Sequence, residues 1–552
     1  MSTLTHCILL ISLFVFCSIN AQTDITQKID ELLDAYESTD SPGLSVKVIN
    51  QGERIYSKGF GLSNLDYNIK NSDSTIFSIA SISKQFTASA IWALVNDGKI
   101  SLDDDIRMYL TEFPEHKETI KIRHLLNHTS GITNYQTLMY LSGFDYDKEY
   151  YDNNTVLQLS CRQKELNSLP GEKVAYSNTS YNLLALIIER ISGKNLNDYL
   201  KDKILRPLNM NNTFVRVAHG MRIKNRAIGY QKRDDSYVYN VSNQLSYGAG
   251  SMGSSINDMH IWMQMLNEQI PEFKSLADFL KTTEILNSGK KAKYARGLIL
   301  DDYKGYAVAN HSGFGFGGRT QLIVILELQI GIIVMSNLQS INAPRVAYQI
   351  LDVLLTDKVK KIKKEEISED FTVQDFNLFV GEYKEIHSDM TMKIFRENDT
   401  LKSKSSMGKT SVPLDQFAKN KFHRTHSQNV KFDFTAATTH DMVITFGGAP
   451  FYFKRAKFID ADLVNLTDFT GDYYSEELEV TYHFLVENGM LQLSYKGNKK
   501  VNLHPVQLNE FGNNDRTLYH FTKDEKGVIT RMLLSCDGAM KEIVFKKKGI
   551  AN

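Results

Sequence analysis

The sequence predicts a multidomain α+β protein in which a large domain of helices and an antiparallel sheet precedes two small antiparallel β-barrels. Three observations predict it. Strand patterns at both ends of the first 355 residues enclose helical patterns, a β-rich unit occurs twice after residue 370, and 552 residues suffice for about three domains.

Apolar alternation predicts the sheet of the first domain. A helix over residues 25–36 is followed by a hairpin whose first strand alternates through residues 44–48 and whose turn is at residues 51–52. Residues 321–326 and 331–335 are dense in β-branched side chains and predict two paired, buried strands. We expect the hairpin to join these strands in one antiparallel sheet.

Helical periodicity predicts three helices between those strands. The first carries Ser81 near its start and ends before Gly98, a residue suited to a left-handed cap. The others cover residues 122–127 and residues 182–191, the latter ending before Gly193.

An internal repeat predicts the two barrels. Residues 379–383 recur ninety positions later as residues 469–473, each with the pattern Phe-x-Gly-x-Tyr. Further pairs keep nearly the same offset: Asn398 with Asn488, Pro413 with Pro505, Phe417 with Phe511, and Phe453 with Phe545. Strand-length segments rich in aromatic residues are typical of small antiparallel barrels.

These patterns set the predicted boundaries. A signal peptide over residues 1–21 is followed by the first domain over residues 22–355 and the barrels over residues 371–457 and 458–552. Residues 356–370 hold five lysines and five acidic residues, which indicates a solvated linker or the end of a helix, and we assign them to a linker.

The N-terminus predicts export. Residues 7–17 form an apolar run of eleven that ends shortly before Ala21, the arrangement of a secretory signal peptide. The run is too short to span a bilayer, so no transmembrane helix is expected. A lipid-modified Cys17 is the less favoured alternative, because Val15 and Phe16 match such a site poorly. We expect a secreted or periplasmic protein.

Charge and cysteine content exclude several functions. The 64 basic and 64 acidic residues cancel, so nucleic acid is not an expected partner. Beyond the signal peptide only Cys161 and Cys536 remain, in different predicted domains, so no disulfide framework is indicated. The fourteen histidines lack metal-ligand spacing, and neither a metal nor another cofactor is expected.

Ser81 and Lys84 are the first candidate catalytic residues. Residues three apart on a helix share a face, so the Lys84 amine would lie beside the Ser81 hydroxyl and could take its proton. The spacing alone is weak evidence, because Ser288 and Ser406 are also followed by a lysine three residues later.

Two later segments add candidates. Tyr176 and Asn178 follow a proline-glycine turn and precede a helix, and a phenol and an amide two residues apart can both face a site. His311, Ser312 and Gly313 precede a glycine-rich stretch and a strand. Glycine there lets an edge strand approach a substrate closely.

The order Ser-x-x-Lys, Tyr-x-Asn, His-x-Gly over residues 22–355 resembles the penicillin-recognising serine hydrolases of the class C β-lactamase, DD-peptidase, D-aminopeptidase and esterase type. The resemblance implies a β-lactamase/transpeptidase-like domain, a sheet flanked by helices beside a helical region, with the site between them. The repeats resemble the β-barrel modules appended to some D-aminopeptidase-like members.

The resemblance also implies roles. Ser81 would attack a carbonyl and form an acyl-enzyme, with Lys84 and Tyr176 exchanging the proton; either could be the base. Asn178 would hold a substrate amide or carbonyl, and the backbone N–H groups of Ser81 and Phe314 would form the oxyanion hole.

His311 is a departure, because most β-lactamases of this group have lysine there. An unperturbed histidine is largely neutral at pH 7 and attracts a carboxylate less strongly. We therefore expect a peptidase or esterase-like hydrolase with at most weak β-lactamase activity, in which His311, Ser312 and Gly313 bind substrate. His124 and His128 are expected to cap or pack.

The alternative is a non-catalytic protein whose cleft captures cell-wall peptides or a partner. In either case the expected ligand is a small molecule or a peptide, and peptides derived from the cell wall are candidates. The sequence makes no prediction of the oligomeric state.

Overall fold

The structure is a computed structural model that describes residues 24–146, 148–356, 358, 375–425, 427–446, 449–456, 464–496, 499–537 and 540–549. The predicted signal peptide and most of the predicted linker lie outside the described residues.

The first domain contains thirteen strands among its described residues. They are β1 Leu44–Asn50, β2 Glu53–Phe60, β3 Leu62–Asn64, β4 Ile69–Lys70, β5 Phe77–Ser78, β6 Phe214–Val215, β7 Tyr230–Arg233, β8 Ser236–Tyr239, β9 Met252–Ser254, β10 Ile299–Tyr303, β11 Tyr306–Gly315, β12 Gly318–Ile325 and β13 Ile330–Ser336. Six form the central antiparallel sheet in the order β10-β11-β12-β13-β1-β2. The N-terminal hairpin thus joins the late strands as predicted, with Val46 opposite Val334.

Helices cover both faces of this sheet. They are α1 over residues 24–33, α2 Ser83–Asn96, α3 Ile122–Leu126, α4 Tyr135–Leu141, α5 Asn153–Cys161, α6 Asn178–Ser192, α7 Leu196–Leu200, α8 Ile256–Leu266, α9 Lys274–Leu280 and α10 Ala343–Leu354. Along β12, Leu322 and Val324 belong to the core that includes α2 and α8, whereas Ile323 and Ile325 belong to the core that includes α1 and α10. Both faces are buried, which explains why these strands are almost continuously apolar.

Two helix boundaries differ from the prediction. The first helix ends at residue 33 and continues as the 3-10 turn Asp34–Tyr36. Helix α6 begins at Asn178, four residues before the predicted start at residue 182. Its first turn begins with the polar residues Asn178, Thr179 and Ser180, so the apolar period on which the prediction depended begins only in the second turn.

Two closed eight-stranded antiparallel barrels follow, and the predicted fold class is confirmed. Barrel 1 consists of β14 Gly381–Glu385, β15 Thr391–Glu397, β16 Thr400–Ser405, β17 Val412–Ala418, β18 Lys421–Arg424, β19 Ser427–Asp433, β20 Met442–Phe446 and β21 Ala449–Arg455. Barrel 2 consists of β22 Gly471–Ser475, β23 Val480–Glu487, β24 Met490–Tyr495, β25 Lys499–Gln507, β26 Glu510–Gly512, β27 Thr517–Lys523, β28 Ile529–Cys536 and β29 Met540–Lys547.

The repeated Phe-x-Gly-x-Tyr pattern has the same role in both barrels. The Tyr383 hydroxyl donates to the Phe379 carbonyl at 2.9 Å, and the Tyr473 hydroxyl donates to the Phe469 carbonyl at 3.2 Å. Each bond fastens the short helical turn before the first strand to the barrel.

Two predicted pairs in the repeat are wrong, Phe417 with Phe511 and Pro413 with Pro505. Phe511 lies opposite Pro505 in barrel 2, whereas Phe422 lies opposite Gln416 in barrel 1. Phe511 packs edge-on against Phe469 with ring centroids 4.7 Å apart, and in barrel 1 it is Phe422 that packs against Phe379, at 5.1 Å. Phe417 instead stacks on His423. The counterpart of Phe511 is therefore Phe422, five residues after the one chosen by offset.

Barrel 2 is packed onto the first domain. Buried residues of α4 and α5, such as Leu138 and Val156, form one continuous apolar cluster with the barrel interior. The Tyr482 hydroxyl inside the barrel donates to the carbonyl of Leu141 at 2.7 Å. No helix within the described ranges is both long and apolar enough to cross a membrane.

Candidate active site

Ser81 lies in a tight turn rather than in the helix itself. It is the central residue of the 3-10 turn Ala80–Ile82, directly before α2. The preceding Ala80 has φ +44°, a conformation that is costly for a residue with a side chain by about 1–3 kcal/mol. Ser81 is partly exposed and lines a cleft of about 400 Å³.

Lys84 lies buried beneath this turn. Its Nζ is 3.2 Å from Ser81 Oγ, and it donates to Asn178 Oδ1 and to the Ala249 carbonyl, both at 2.8 Å. Burial lowers the pKa of Lys84 well below its ordinary value, which favours the neutral amine.

The contacts of Lys84 determine where its lone pair points. A neutral amine has two N–H donors, and both are taken by Asn178 Oδ1 and the Ala249 carbonyl oxygen, which can only accept. The remaining contact is with Ser81 Oγ, so the lone pair of the neutral amine faces the Ser81 hydroxyl. In that form the amine can accept a proton from the Ser81 hydroxyl.

Tyr176 covers the same lysine from the cleft side. Lys84 Nζ lies 4.8 Å from the centroid of the Tyr176 ring, and Tyr176 and Ser81 line the same cleft. Desolvation raises the pKa of Tyr176 far above neutrality, and the Ser81 hydroxyl opposes this only in part, so the phenol keeps its proton.

Asn178 is fixed by residues that the sequence did not indicate. Its Nδ2 donates to Gln136 Oε1 at 2.7 Å, and its backbone N–H donates to Asn134 Oδ1 at 3.2 Å. Both partners lie at the start of α4. The predicted Tyr-x-Asn pair is therefore held between α6 and α4.

His311 is buried behind the cleft and does not belong to its lining. Its Nδ1 is 2.6 Å from the Ser312 carbonyl, which can only accept, so Nδ1 carries the proton. Its Nε2 then accepts from the Tyr294 hydroxyl at 3.2 Å. Burial and the neighbouring Lys84 lower the pKa of His311 to about 4, with the Ser312 bond opposing them.

The rings of His128 and Tyr294 pack against the ring of Tyr176. The ring of His128 lies 4.3 Å from that of Tyr176 and 4.5 Å from that of Tyr294, and its Nδ1 accepts from the Ser177 N–H at 3.2 Å. His124 caps α3, accepting the Lys121 N–H at 3.1 Å. Sequence reasoning missed Tyr294, which lies in a loop without any motif.

The His-x-Gly segment has an open backbone edge, although β11 is not the edge strand that the sequence predicted. The edge strand is β10, but its pairing ends where Ile299 meets Asn310, so residues 311–315 extend beyond it. A Cβ on Gly313 would lie 2.6 Å from the Ile79 carbonyl oxygen. Glycine there lets β11 lie against the Ser81 turn, and Phe314 and Ser81 line one cleft.

Acid should destabilise the protein partly through His311. The unfolded histidine takes up a proton near pH 6.5 but the buried one only near pH 4, so the free energy of unfolding falls as pH drops through this window. Between pH 7 and 4.5 this contribution is on the order of 2 kcal/mol. The free energy of unfolding, measured with urea, should fall less with decreasing pH in His311→Gln than in wild type. In His219→Gln, which changes an exposed histidine, it should fall as much as in wild type. Equal declines in all three proteins would contradict this reading.

No three His, Cys, Asp or Glu side chains within the described part of the chain are arranged to hold a metal ion. The polar groups gathered around Ser81 are the Lys84 amine, the Tyr176 phenol and the Asn178 amide.

Comparison with known proteins places the chain in a family. The sequence model of the Beta-lactamase family matches residues 25–355. Protein flp of Staphylococcus aureus (strain N315) is 27% identical over 333 residues, which cover 58% of this chain and 65% of that protein. Penicillin-binding protein 4* of Bacillus subtilis (strain 168) is 30% identical over 301 residues, covering 52% of this chain and 66% of that protein. The chain thus spans just under two thirds of these relatives.

Solved structures show the same fold. The octameric penicillin-binding protein homologue from Pyrococcus abyssi superimposes with a TM-score of 0.54 at 22% identity, covering 87% of this chain and 99% of that one. FmtA from Staphylococcus aureus gives 0.50 at 23% identity, covering 60% and 87%. The superposition on the Pyrococcus abyssi protein covers more of this chain than residues 25–355. At 22% and 23% sequence identity, the two structural similarities concern the fold alone. Because the family model matches more than half of the sequence, the protein belongs to the beta-lactamase family.

Proposed function

We propose that the protein is a serine hydrolase that cleaves amide or ester bonds through an acyl-enzyme on Ser81. The observation that carries this proposal is the position of Lys84 Nζ, which lies 3.2 Å from Ser81 Oγ and whose other two contacts, Asn178 Oδ1 and the Ala249 carbonyl, are both acceptors. A serine alcohol becomes a useful nucleophile when a positioned base takes its proton.

The proposed reaction assigns different roles to Lys84 and Tyr176. As Ser81 Oγ bonds to the substrate carbonyl carbon, its proton passes to Lys84 Nζ. Tyr176, whose phenol stays protonated, donates a proton to the leaving group and is reprotonated from Lys84. A water molecule then attacks the acyl carbonyl carbon, and one of its protons passes through Lys84 to Ser81 Oγ as the C–Oγ bond breaks, which releases the acid product and restores Ser81.

The remaining groups position the substrate. The backbone N–H groups of Ser81 and Phe314 would stabilise the oxyanion, a contribution typically worth about 10²–10³ in rate per donor. Asn178 would hold a substrate amide, and the free edge at residues 311–315 would pair with an extended substrate such as a cell-wall peptide.

His311 affects the substrate class. With its pKa lowered to about 4 and both ring nitrogens engaged, this imidazole is neutral at pH 7 and offers no positive charge to a β-lactam carboxylate. We therefore propose a peptidase or esterase-like activity with weak or no β-lactamase activity. The apolar run at residues 7–17 further supports the proposal that the enzyme acts outside the cytoplasm.

A substrate panel tests this function. D-amino acid amides, acyl-D-Ala-D-Ala peptides, p-nitrophenyl esters and nitrocefin should be compared at equal concentrations with wild type and Ser81→Ala. We expect turnover of at least one amide or ester, little of nitrocefin, and none above background with Ser81→Ala. Equal turnover by both proteins, or nitrocefin hydrolysis as fast as that of dedicated β-lactamases, would refute the proposal.

A further inference from the structure

The charged side chains of the described cleft lining all have the same sign. Among the described residues that line the cleft, the charged side chains are Arg216 and Arg226, and none is Asp or Glu. Lys84 and His311 are not among these lining residues, and burial lowers the pKa of both, that of His311 to about 4. The two arginines therefore supply the positive charge of the cleft.

Both arginines are attached to the floor of the cleft, which is the small sheet of order β5-β9-β6. Arg216 follows β6, and its backbone N–H donates to the Ser251 carbonyl at 2.9 Å. Arg226 is bridged to Ile76, the residue before β5. They thus flank opposite edges of this floor.

The backbone of Arg216 lies close to the segment that binds Lys84. Lys84 bonds the carbonyl of Ala249, and Arg216 bonds that of Ser251. Two residues of extended chain span at most about 7 Å, so a substrate whose carbonyl lies at Ser81 needs only a short arm to reach this floor.

The Arg216 guanidinium is held in place. Its Nη2 donates to the Gln244 carbonyl at 2.6 Å, and the side chain is half-buried. Burial lowers the pKa of Arg216, and the positive charge of Arg226 lowers it further. An anion bound between two such cations would relieve their repulsion and gain charge-assisted hydrogen bonds.

The orientation of the substrate follows from Tyr176. The leaving group must face this phenol, which lies on the side of the His128 and Tyr294 rings. The acyl part then extends the other way, over the β5-β9-β6 floor and toward the two arginines.

We propose that Arg216 and Arg226 form a subsite for a carboxylate carried by the acyl part of the substrate, remote from the scissile carbonyl. This inference rests on the proposed function for the direction of the acyl chain. On this proposal the acyl part of the substrate, and not the leaving group, carries the negative charge.

Matched esters test the subsite. Mono-p-nitrophenyl esters of succinate, glutarate and adipate should be compared with the corresponding half-amide esters, after subtraction of the rate without protein. We expect kcat/KM of wild type to favour the carboxylate by about tenfold or more at one chain length, because the bonds are charge-assisted. The Arg216→Gln/Arg226→Gln double variant should lose this preference, whereas Arg222→Gln, an exposed arginine of the same segment outside the cleft lining, should keep it.

Binding provides a readout that does not depend on catalysis. Calorimetry on Ser81→Ala should show tighter binding of the free dicarboxylate than of its half-amide, and the two Arg→Gln changes added to Ser81→Ala should remove the difference. Lack of preference at every chain length in both assays, or a preference that survives the double change, would overturn the subsite. If none of these esters is turned over but the binding preference is present, the two arginines still bind the carboxylate, and the substrate panel with Ser81→Ala decides the hydrolase proposal separately.

Discussion

Replacing Lys84 with methionine should lower kcat for ester hydrolysis by about 10²–10⁴-fold, the range expected when a general base is removed. Methionine keeps most of the buried volume, but it has neither the lone pair that faces Ser81 nor the donors for Asn178 and Ala249. Losing those donors should also cost about 1–3 kcal/mol of stability.

A second buried lysine provides the matched control. Lys47 is 1% exposed, its Nζ donates to Asn257 Oδ1, and it does not line the cleft. Lys47→Met should therefore keep kcat close to wild type even if it unfolds at a similar urea concentration to Lys84→Met. A folded Lys84→Met enzyme with nearly full activity would remove Lys84 from the mechanism.

Introducing an aspartate at Leu141 should lower both stability and activity. Leu141 is 1% exposed in the cluster shared by α4 and barrel 2, and its carbonyl accepts the Tyr482 hydroxyl. A carboxylate buried there has no partner, so the change should cost at least about 3 kcal/mol. Urea unfolding measures this loss.

The loss of activity follows from what α4 holds. The N-terminal end of this helix, at Asn134 and Gln136, fixes Asn178, which in turn binds Lys84. We expect Leu141→Asp to lower kcat about tenfold or more under conditions where it remains folded, because small misplacements of reacting groups are costly. Leu378→Asp, at a 63% exposed leucine before barrel 1, should change neither quantity. An unaltered kcat in Leu141→Asp would mean that the packing of barrel 2 on α4 does not support the active site.

The central sheet was predictable because both of its faces are buried. That burial makes β12 and β13 almost continuously apolar, and the alternation in β1 marks its place beside them. The barrels were predictable for a different reason, since a repeated unit reveals itself by its period without knowledge of its fold. The residue-by-residue match between the two barrels was wrong where their loops differ in length. The constant offset chose Phe417 as the counterpart of Phe511, and the structure shows that it is Phe422.

The site was predictable only as far as it has motifs. Ser81, Lys84, Tyr176 and Asn178 come together around one amine, and β11 brings Gly313 against the Ser81 turn. Tyr294 and Gln136 carry no pattern, because each is brought in by tertiary packing and not by its neighbours in sequence. The two cleft arginines are scattered in an irregular segment, where neither period nor spacing could mark them.

The most direct test of the account is to find which residue a serine-directed reagent modifies. The protein should be treated briefly with a fluorophosphonate, digested, and mapped by mass spectrometry, alongside Ser81→Ala and Lys84→Met. The account predicts one adduct on the peptide that contains Ser81, none in Ser81→Ala, and much slower formation in Lys84→Met. An adduct on another serine, or unmodified Ser81 in protein that is folded by circular dichroism, would contradict it.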